Sequence, residues 1–265
     1  MSVAILTPTY NEKENLGKLL EKIFSLKIPE LLAVVIDDNS PDGTAELAEE
    51  FAKKYPVRVI RRPRKMGLGT AYVDAFMEIL GITSSAKPFC FSRGLEVVRN
   101  APNPQNSLSA DSTDVAPDVI IQMDADFSHN PEIIPVFLER IKDYDLVLGS
   151  RYVSGGGIEN WDYTRRMVSK FGNFYARTVL GLPYRDLTGG FKCWKRPVLV
   201  GLDLDKLSST GYNFQIETTY FVHKNGAKIC EIPIIFTERK FGVSKFNLSI
   251  MLESFWKVLM LRIKK

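Results

Sequence analysis

The sequence has little of the two residue types that most often bind zinc. Its 265 residues include three cysteines, Cys90, Cys193 and Cys230, and two histidines, His129 and His223. These residues are widely spaced, whereas zinc sites use closely spaced ligand pairs, so a zinc site is excluded. An odd number of scattered cysteines also argues against a disulfide framework and favours a reducing, cytoplasmic compartment.

Long hydrophobic runs are also absent. The most apolar stretch, residues 246–263, is interrupted by Glu253, Lys257 and Arg262, so it lacks the roughly 18 uncharged residues of a spanning helix. The N-terminus enters a strand-like run without the basic and apolar segments of a signal peptide, so secretion is not expected. With 45% hydrophobic residues, 25% charged residues and a net charge of +4, the composition is that of an ordinary globular protein.

Short apolar runs alternate with segments of helical period through the first 150 residues. This alternation predicts an α/β fold in which helices cover a mostly parallel sheet. The predicted strands are about five, at residues 2–7, 31–37, 57–62, 118–123 and 144–150. Ligands of such sheets bind at the carboxyl ends of the strands, so the residues that follow each strand are the candidate site.

Two carboxylates, Asp124 and Asp126, follow the fourth predicted strand. Hard divalent cations such as Mg²⁺ or Mn²⁺ prefer oxygen ligands, and Mg²⁺ is often held by one or two carboxylates together with substrate phosphates. The pair is therefore a candidate metal–diphosphate site. An alternative interpretation is that Asp126 or Ser128 caps a helix that opens near Pro131.

A second acidic pair, Asp37 and Asp38, follows the second predicted strand. A carboxylate at this place binds ribose hydroxyls in nucleotide-binding folds, although Asp, Asn, Pro and Gly also build turns for backbone reasons. Both interpretations stay open here. The basic run at residues 61–65 is expected to be a solvated face, and the glycines of residues 67–69 lack the full dinucleotide-binding fingerprint.

Two segments stand apart from this alternation. Residues 84–117 are rich in Pro, Ser, Asn and Asp and show little periodicity, so residues 82–117 are interpreted as a disordered or surface insertion. Residues 246–265 place most of their apolar side chains on one side of a helical wheel. This C-terminal amphipathic helix is expected to lie on a membrane surface, and packing on the domain or on a partner is the alternative.

Eight blocks, taken in order, resemble family 2 glycosyltransferases. They are PTYNEKENL at 8–16, DDNSPDGT at 37–44, GLGTA at 67–71, MDADFSH at 123–129, GSRY at 149–152, DLTGGFK at 186–192, GYNFQIE at 211–217 and ERKFGVSK at 238–245. The set is similar to the polyprenyl-phosphate, or dolichyl-phosphate, mannosyltransferase branch. GGGIENWD at 155–162 is most similar to the bacterial polyprenol monophosphomannose synthases.

The resemblance implies a Rossmann-like GT-A domain over residues 1–245, followed by the C-terminal helix at 246–265. It implies an enzyme that transfers mannose with inversion from GDP-mannose to a polyprenyl or dolichyl phosphate and uses Mg²⁺ or Mn²⁺. The implied location is peripheral, on the cytoplasmic face of a membrane, with a possible membrane-anchoring subunit. No nucleic-acid partner is expected.

The resemblance also assigns site residues, one position at a time. Those implied to bind the nucleotide sugar are Pro8, Tyr10 and Glu12 at the guanosine, Ile36 and Asp38 at the base and ribose, Asp124, Ala125 and Asp126 at the sugar diphosphate, and Arg151, Arg239 and Lys245 at phosphate charge. Asp124 and Asp126 are the implied metal ligands, and Asp126, Arg151 and Arg165 the implied catalytic residues. The acceptor phosphate is assigned to Arg151, Arg165 and Ser169. Where the family often has a metal-binding Gln, this sequence has Ser128.

The chemistry agrees with the shortage of histidine. A polyprenyl phosphate is already anionic at neutral pH, so it needs no general base, and the protein has only to position the reactants and neutralise charge. Two other functions stay open: a glucosyltransferase that uses UDP-glucose on the same acceptor, and a non-catalytic subunit that binds a nucleotide sugar or lipid phosphate.

Overall fold

The computed structural model describes residues 1–82, 96–98, 116–207, 209, 211, 213–238 and 248–263. Its strands are β1 (Val3–Thr9), β2 (Leu31–Asp37), β3 (Val57–Arg61), β4 (Glu96–Val98), β5 (Val119–Gln122), β6 (Leu146–Ser150), β7 (Gly157–Glu159), β8 (Lys192–Lys195), β9 (Ile229–Pro233) and β10 (Ile235–Thr237). Its helices are α1 (Lys13–Ser25), α2 (Thr44–Ala52), α3 (Leu68–Leu80), α4 (Ile134–Arg140), α5 (Tyr163–Leu180), α6 (Arg196–Val200), α7 (Asn213–Lys224) and α8 (Leu248–Ile263).

The central sheet has the strand order β4-β3-β2-β1-β5-β8-β6-β9. Neighbouring strands are parallel except where β4 meets β3 and where β8 meets β5 and β6. The predicted mostly parallel sheet is confirmed, and all five predicted strands are present. The prediction of about five strands is too small, because β8 lies between β5 and β6 while β4 and β9 extend the edges.

Helices cover both faces of this sheet, because its central strands are apolar on both faces. In β1, Ala4 and Leu6 pack into a core shared with α3, whereas Val3 and Ile5 pack on the opposite side. Helix α1 buries Leu16, Leu19, Leu20 and Ile23, which recur at helical spacing on its inner side. Packing on both faces holds the strands in place, and with them the edge of the sheet that carries the candidate site.

The direction of chain crossover reverses at β1. From β1 the chain builds β2 and β3 on one side, and it later adds β5 on the other side. Ligands of open α/β sheets bind at such a switch point, outside the carboxyl ends of the strands. The segments that follow β1, β2 and β5 are therefore brought to one edge.

Two peripheral predictions concern residues 82–117 and the C-terminal helix. Residues 96–98 form the edge strand β4, so part of the predicted insertion belongs to the sheet, while residues 83–95 and 99–115 lie outside the described residues. Helix α8 packs on α5 and α7. Among the described residues, none of the helices is both long and apolar enough to cross a membrane.

Candidate active site

The acidic loop, residues 124–129, follows β5 at the switch point. The backbone N–H of Asp124 donates to Nδ1 of His129 at 3.1 Å, and Oδ1 of Asp126 accepts from the N–H of Ser128 at 3.0 Å. The following helical turn is capped by Asn130, whose side chain accepts from the N–H of Glu132. The alternative interpretation of Asp126 or Ser128 as the helix cap is therefore wrong, and both acidic residues belong to the loop itself.

The buried side chain of His129 supports the acidic loop from its inner side. Its ring is buried, is stacked on Phe191 with centroids 4.8 Å apart, and meets Phe236 edge-on at 5.6 Å. Burial lowers the pKa of His129 to about 4, so the ring is neutral at physiological pH. Because Nδ1 accepts the N–H of Asp124, the ring proton is on Nε2. The separation of 3.9 Å between Nδ1 and Oδ2 of Asp124 is therefore not an ion pair.

Two further polar side chains lie near the acidic loop. The carboxamide of Gln215 and the hydroxyl of Tyr72 are buried and have no hydrogen-bond partner among the described residues. A Cβ added to Gly190 would lie 3.6 Å from Nε2 of Gln215 and 3.7 Å from both Oδ1 of Asp124 and Cε1 of His129. These atoms surround one small space at the floor of the site. Burial raises the pKa of the Tyr72 hydroxyl, and the nearby acidic loop raises it further, so the hydroxyl keeps its proton.

The acidic loop suits a hard divalent cation. Asp124, with its side chain 34% exposed, and Asp126 supply the carboxylate oxygens. The hydroxyl of Ser128 is buried and has no hydrogen-bond partner among the described residues. Among the described residues, no group of three or more acidic, His or Cys side chains is arranged so that it could hold a metal ion by itself. The oxygen donors present therefore fit a cation that shares its coordination sphere with a diphosphate.

The two carboxylates of the acidic pair after β2 make different contacts. Asp37 builds the turn, because its carboxylate accepts from the hydroxyl of Thr9 at 3.0 Å and from the N–H and hydroxyl of Ser40 at 2.8 and 2.6 Å. Asp38 instead contacts Arg62, whose Nη1 lies 2.5 Å from its Oδ1. Asp37 therefore stabilises the turn, and Asp38 is the remaining candidate for the carboxylate that binds ribose hydroxyls.

The predicted guanosine residues lie at or beside the end of β1. Pro8 is half-buried and opposite Ile36, which is fully buried in the core. Tyr10 is exposed, and the ammonium group of Lys65 lies 3.7 Å from the centroid of its ring. Glu12 is half-buried directly before α1. Tyr10, Glu12 and Asp38 thus reach the same edge from neighbouring strands, while Ile36 lies below it.

The expected solvated basic run is only partly solvated. The side chain of Arg61 is about 29% exposed and pairs with Glu46 and Glu49 of α2. The prediction is wrong for Arg62, whose side chain is fully buried. Arg62 also contacts Asp74 of α3, with 2.9 Å between Nε and Oδ2.

Arg151 is committed to a buried ion pair. Its Nε and Nη2 donate to the two carboxylate oxygens of Asp186, each at 2.7 Å, and Nη2 also donates to Thr188 at 2.7 Å. Burial by itself would raise the pKa of Asp186, but the charge and hydrogen bonds of Arg151 outweigh it and hold that pKa below its ordinary value. Asp186 therefore stays ionised and locks Arg151 in place beside the site.

The other two predicted acceptor residues, Arg165 and Ser169, lie on the first turns of α5. The hydroxyl of Tyr152 donates to Oγ of Ser169 at 2.7 Å. Arg165 is hydrogen-bonded to Glu238, and its guanidinium group lies 4.0 Å from the ring centroid of Trp161. The structure thus places one arginine and one hydroxyl, four residues apart, on the same stretch of helix.

An aromatic contact path joins this part of α5 to the acidic loop. Trp161 meets Phe236 of β10 with centroids 5.5 Å apart, and Phe236 in turn meets His129. Arg151 lies over both aromatic rings, at 5.7 Å from Trp161 and 5.5 Å from Phe236. The candidate metal loop and the candidate acceptor residues are therefore two sides of one site. Arg239 and Lys245 lie outside the described residues.

These features define a class of protein: an α/β transferase with a GT-A fold, in which the acidic loop and the acidic pair after β2 flank the switch point of the sheet. The chain belongs to glycosyl transferase family 2, because the family model "Glycosyl transferase family 2" matches residues 4–81 and 93–201. The sequence-based identification of the family is confirmed.

Relatives in the same branch cover nearly the whole chain. The chain is 37% identical to a polyprenol monophosphomannose synthase of Mycolicibacterium smegmatis, over 96% of this chain and 84% of the relative. It is also 37% identical to an undecaprenyl-phosphate mannosyltransferase of Micrococcus luteus, over 96% and 91%. A dolichol-phosphate mannosyltransferase of Pyrococcus furiosus is 34% identical, over 93% and 60%. These similarities confirm the predicted mannosyltransferase branch.

Solved structures agree on the fold. Glucosyl-3-phosphoglycerate synthase from Mycobacterium tuberculosis, in complex with phosphoglyceric acid, matches with a TM-score of 0.62 and 14% identity, over 99% of this chain and 79% of that chain. The same enzyme with Mn²⁺, UDP and glucosyl-3-phosphoglycerate matches with a TM-score of 0.60 and 15% identity, over 98% and 78%. At this identity the similarity concerns the fold alone, and it supports the predicted GT-A architecture.

Proposed function

We propose that this chain transfers mannose from GDP-mannose to a polyprenyl phosphate of the dolichyl type, with inversion at the anomeric carbon. The names of the two relatives at 37% identity support the sugar and the lipid phosphate. One structural observation carries the proposal: the contact path from the acidic loop through His129, Phe236 and Trp161 to Arg165. It joins a loop suited to a sugar diphosphate to a cation suited to a phosphate acceptor.

The reaction needs one displacement. An oxygen of the acceptor phosphate attacks the anomeric carbon, the bond from that carbon to the diphosphate oxygen breaks, and GDP leaves with the electron pair. The attacking oxygen is already ionised, so no residue has to remove a proton. The buried, neutral His129 therefore has a structural role in the acidic loop and is not needed as a base. The protein contributes position and charge neutralisation.

On the donor side, we assign the guanosine to Pro8, Tyr10 and Glu12 and the ribose to Asp38. Asp124 and Asp126, together with the backbone of Ala125, hold the sugar diphosphate. A bound Mg²⁺ or Mn²⁺ on the two carboxylates would neutralise the charge that develops on the leaving diphosphate.

Arg239 and Lys245 are assigned to phosphate charge from the family resemblance. Cations at the donor diphosphate would neutralise the negative charge that grows on the leaving group.

On the acceptor side, we assign the lipid phosphate to Arg165 and Ser169. Glu238 occupies the guanidinium group of Arg165 in the structure, as a phosphate oxygen would in the complex. The planar guanidinium group matches phosphate geometry better than a lysine would. Arg151 stands between the two sides, held by Asp186, and stabilises the approach of two anions.

The direct test is the transfer of labelled mannose from GDP-mannose to a short polyprenyl phosphate. We expect transfer that EDTA abolishes and that Asp126→Asn lowers by at least about 100-fold, since the charge on the leaving group is no longer neutralised. Asp143→Asn, a change at an exposed carboxylate away from the site, serves as the matched control and should leave transfer unchanged.

Other results of this assay would overturn the proposal in distinct ways. Transfer from UDP-glucose in place of GDP-mannose, together with thermal stabilisation by UDP and not by GDP, would identify the glucosyltransferase alternative. Binding of a nucleotide sugar without any transfer would identify a non-catalytic subunit.

We further propose that the chain works peripherally on the cytoplasmic face of a membrane, where its acceptor resides. Helices α5 and α8 pack together through Phe255, which contacts Tyr175 and Phe171 with centroids 4.3 and 5.8 Å apart. Their outer sides carry a lipid-facing surface of exposed apolar residues, namely Tyr163, Met167, Phe171 and Phe174 of α5 and Trp256, Leu259 and Ile263 of α8. Exposed basic residues of α5, Arg166 and Lys170, suit anionic headgroups.

The predicted amphipathic helix, α8, has one buried side and one exposed side. In α8, Val258 and Leu261 are buried against the domain, while Trp256 and Ile263 are each 61% exposed. The packing alternative therefore describes one side of the helix, and the other side is left for lipid. Helix α5 also carries Arg165 and Ser169, so the proposed membrane contact and the acceptor site share one helix.

A further inference from the structure

The two arginines of the candidate acceptor site are each paired with a carboxylate, but the two ion pairs differ. Asp186 contacts Arg151 through both carboxylate oxygens, and it also accepts the backbone N–H groups of Arg151 and Gly189 at 2.9 and 3.1 Å. Both side chains are buried, so this pair cannot open without leaving several buried groups unpaired. Asp186 is therefore a permanent partner of Arg151.

Arg165 and Glu238 form an ion pair that can open. Their contact joins one guanidinium nitrogen, Nη1, to one carboxylate oxygen, and the side chains are 20% and 33% exposed. Among the residues that the structure describes, no other side chain donates a hydrogen bond to the carboxylate of Glu238. Because water reaches both partners, separating them costs far less than separating a buried pair.

The backbone keeps Glu238 beside Arg165. Glu238 directly follows β10, and its backbone N–H donates to the carbonyl of Glu159 in β7 at 3.3 Å. The preceding residue, Thr237, donates from its hydroxyl to the carboxylate of Glu159 at 3.1 Å and from its backbone N–H to the carbonyl of Ser128 at 3.3 Å. The carboxylate of Glu238 is thus tethered at a high effective concentration near Arg165.

Arg165 is otherwise suited to bind an oxyanion. Its guanidinium group lies 4.0 Å from the ring centroid of Trp161, and this stacking holds the group in one plane. Arg166 and Lys170 add exposed positive charge to the same helix. A phosphate that binds Arg165 must displace Glu238 or share the guanidinium group with it, and the two anions repel each other. Glu238 therefore lowers the affinity of Arg165 for any phosphate.

We propose that Glu238 is a specificity-determining residue that competes with phosphate for Arg165, so that the acceptor site excludes soluble phosphates and admits a phosphate carried by a lipid. The inference rests on the proposed function, which assigns Arg165 to the acceptor phosphate. Competition lowers the affinity for both kinds of phosphate by the same factor. A lipid phosphate overcomes this factor, because the membrane and the exposed apolar side chains of α5 raise its concentration at the site, whereas a soluble phosphate has no such gain.

The test removes the charge of Glu238 and keeps its shape. We expect Glu238→Gln to lower the dissociation constant for inorganic phosphate by about 3- to 5-fold, the upper range for a partly exposed ion pair, as measured by calorimetry on the whole chain. In the transfer assay, the inhibition constant for inorganic phosphate and the KM for a short polyprenyl phosphate in vesicles should fall by similar factors. We expect kcat to stay within about 2-fold of wild type.

Glu159→Gln is the matched control. It removes an equal charge from an exposed carboxylate of the neighbouring strand β7, which contacts Thr237 and not Arg165. This variant should bind inorganic phosphate within about 1.5-fold of wild type. An equal gain of affinity in Glu159→Gln and Glu238→Gln would show that net charge sets the affinity, and it would overturn the proposal.

A structural role for Glu238 predicts the opposite sign. If Glu238 serves to hold Arg165 in place, Glu238→Gln raises the KM for the lipid acceptor or lowers kcat, and phosphate binds no better, which overturns the proposal. Glu238→Ala guards against a hydrogen bond that glutamine retains to Arg165, and its gain of phosphate affinity should be at least as large. In an Arg165→Ala background, Glu238→Gln should change phosphate affinity by less than about 1.5-fold, and a larger gain there would also overturn the proposal.

Calorimetry with inorganic phosphate needs neither donor nor transfer, so it separates the two proposals. A gain of phosphate affinity in Glu238→Gln, in a chain that transfers no mannose, contradicts the proposed function and supports competition at Arg165. Mannose transfer without any gain of phosphate affinity in Glu238→Gln contradicts the role of Glu238 and leaves the proposed function standing. The role of Glu238 is equally contradicted if neither protein binds phosphate and both have the same KM for the lipid.

Discussion

Arg62 is a single cation shared by two buried carboxylates. Asp38 and Asp74 both contact it, so the group carries an excess negative charge when both are ionised. Burial, the larger effect, and the charge of Asp38 raise the pKa of Asp74 to about 6, although Arg62 pulls it down. Burial raises the pKa of Asp38 as well. One of the two acids is therefore poorly paired at neutral pH.

This poor pairing gives Asp74 a measurable effect on stability. Between pH values of about 4 and 6 the folded chain keeps a proton on Asp74 that the unfolded chain has released, so the free energy of unfolding falls as the pH rises. Asp74→Asn cannot titrate. We expect wild-type protein to lose roughly 2 kcal/mol relative to this variant between pH 4.5 and pH 7.5, measured by urea unfolding. Identical pH profiles for the two proteins would contradict the assignment.

A buried ion-pair residue such as Arg62 is hard to predict from the sequence. Asp124, Asp126 and Asp38 stand out because acidic residues follow apolar strands. Arg62 does not, because a basic run at the end of a strand has the same pattern whether its members are solvated or buried. The alternation of side chains along a strand is the available signal, since it sends Arg61 and Arg62 to opposite faces.

At the scale of single elements, α5 depends on one buried amide. Oδ1 of Asn173 accepts from the backbone N–H groups of Leu187 and Thr188 at 2.7 and 3.2 Å, and its Nδ2 donates to the carbonyl of Ser169 at 3.0 Å and the hydroxyl of Thr188 at 3.1 Å. Asn173 thus fixes α5 to the loop that carries Asp186. Asn173 therefore holds the helix that bears the candidate acceptor residues next to the ion pair between Arg151 and Asp186.

Removing this amide should therefore loosen α5. We expect Asn173→Ala to lower the free energy of unfolding by about 2–3 kcal/mol, because two backbone N–H groups lose their acceptor in a buried place. Thr178→Ala, at an exposed hydroxyl on the same helix, should change it by less than about 0.5 kcal/mol. Equal effects of the two variants in urea unfolding would show that Asn173 is not the anchor.

The elements differ in how visible they are in the sequence. The sequence predicts strands β1, β2 and β3 because each is an apolar run followed by turn residues and a helical segment. The sequence does not predict strand β8, because this strand has four residues, two of them lysines. Lys192 is buried, and its ammonium group donates to the carbonyl of Gln215. A buried lysine makes a core strand look polar, and no local pattern predicts insertion between β5 and β6.

At the scale of the whole molecule, the proposed membrane contact uses two helices that are about 70 residues apart in the chain, α5 and α8. We expect Phe174→Glu and Trp256→Glu each to weaken association with vesicles of mixed neutral and anionic lipid by about 10-fold or more, since each places a charge on the lipid-facing surface. Val136→Glu changes an exposed apolar residue of α4 and is the control. Sedimentation with the vesicles measures the bound fraction.

The vesicle experiment also distinguishes the other occupants of this surface. Unchanged partitioning of Phe174→Glu and Trp256→Glu would contradict the membrane contact. Weak binding to vesicles by wild-type protein, with firm retention in native membranes, would instead indicate a membrane-anchoring subunit.

The short parallel sheet of β7 and β10 joins two parts of the molecule that are distant in the chain. It pairs Gly157 with Ile235, and Phe236 bridges back to His129. Strands β1, β2 and β3 pair with strands that are close in the chain, whereas β7 pairs with β10, about 75 residues further along the chain, and such long-range pairing forms more slowly. A nascent chain that ends before residue 235 lacks the strand that joins α5 to the acidic loop. Synthesis must therefore pass β10 before the candidate acceptor residues of α5 can be aligned with the acidic loop.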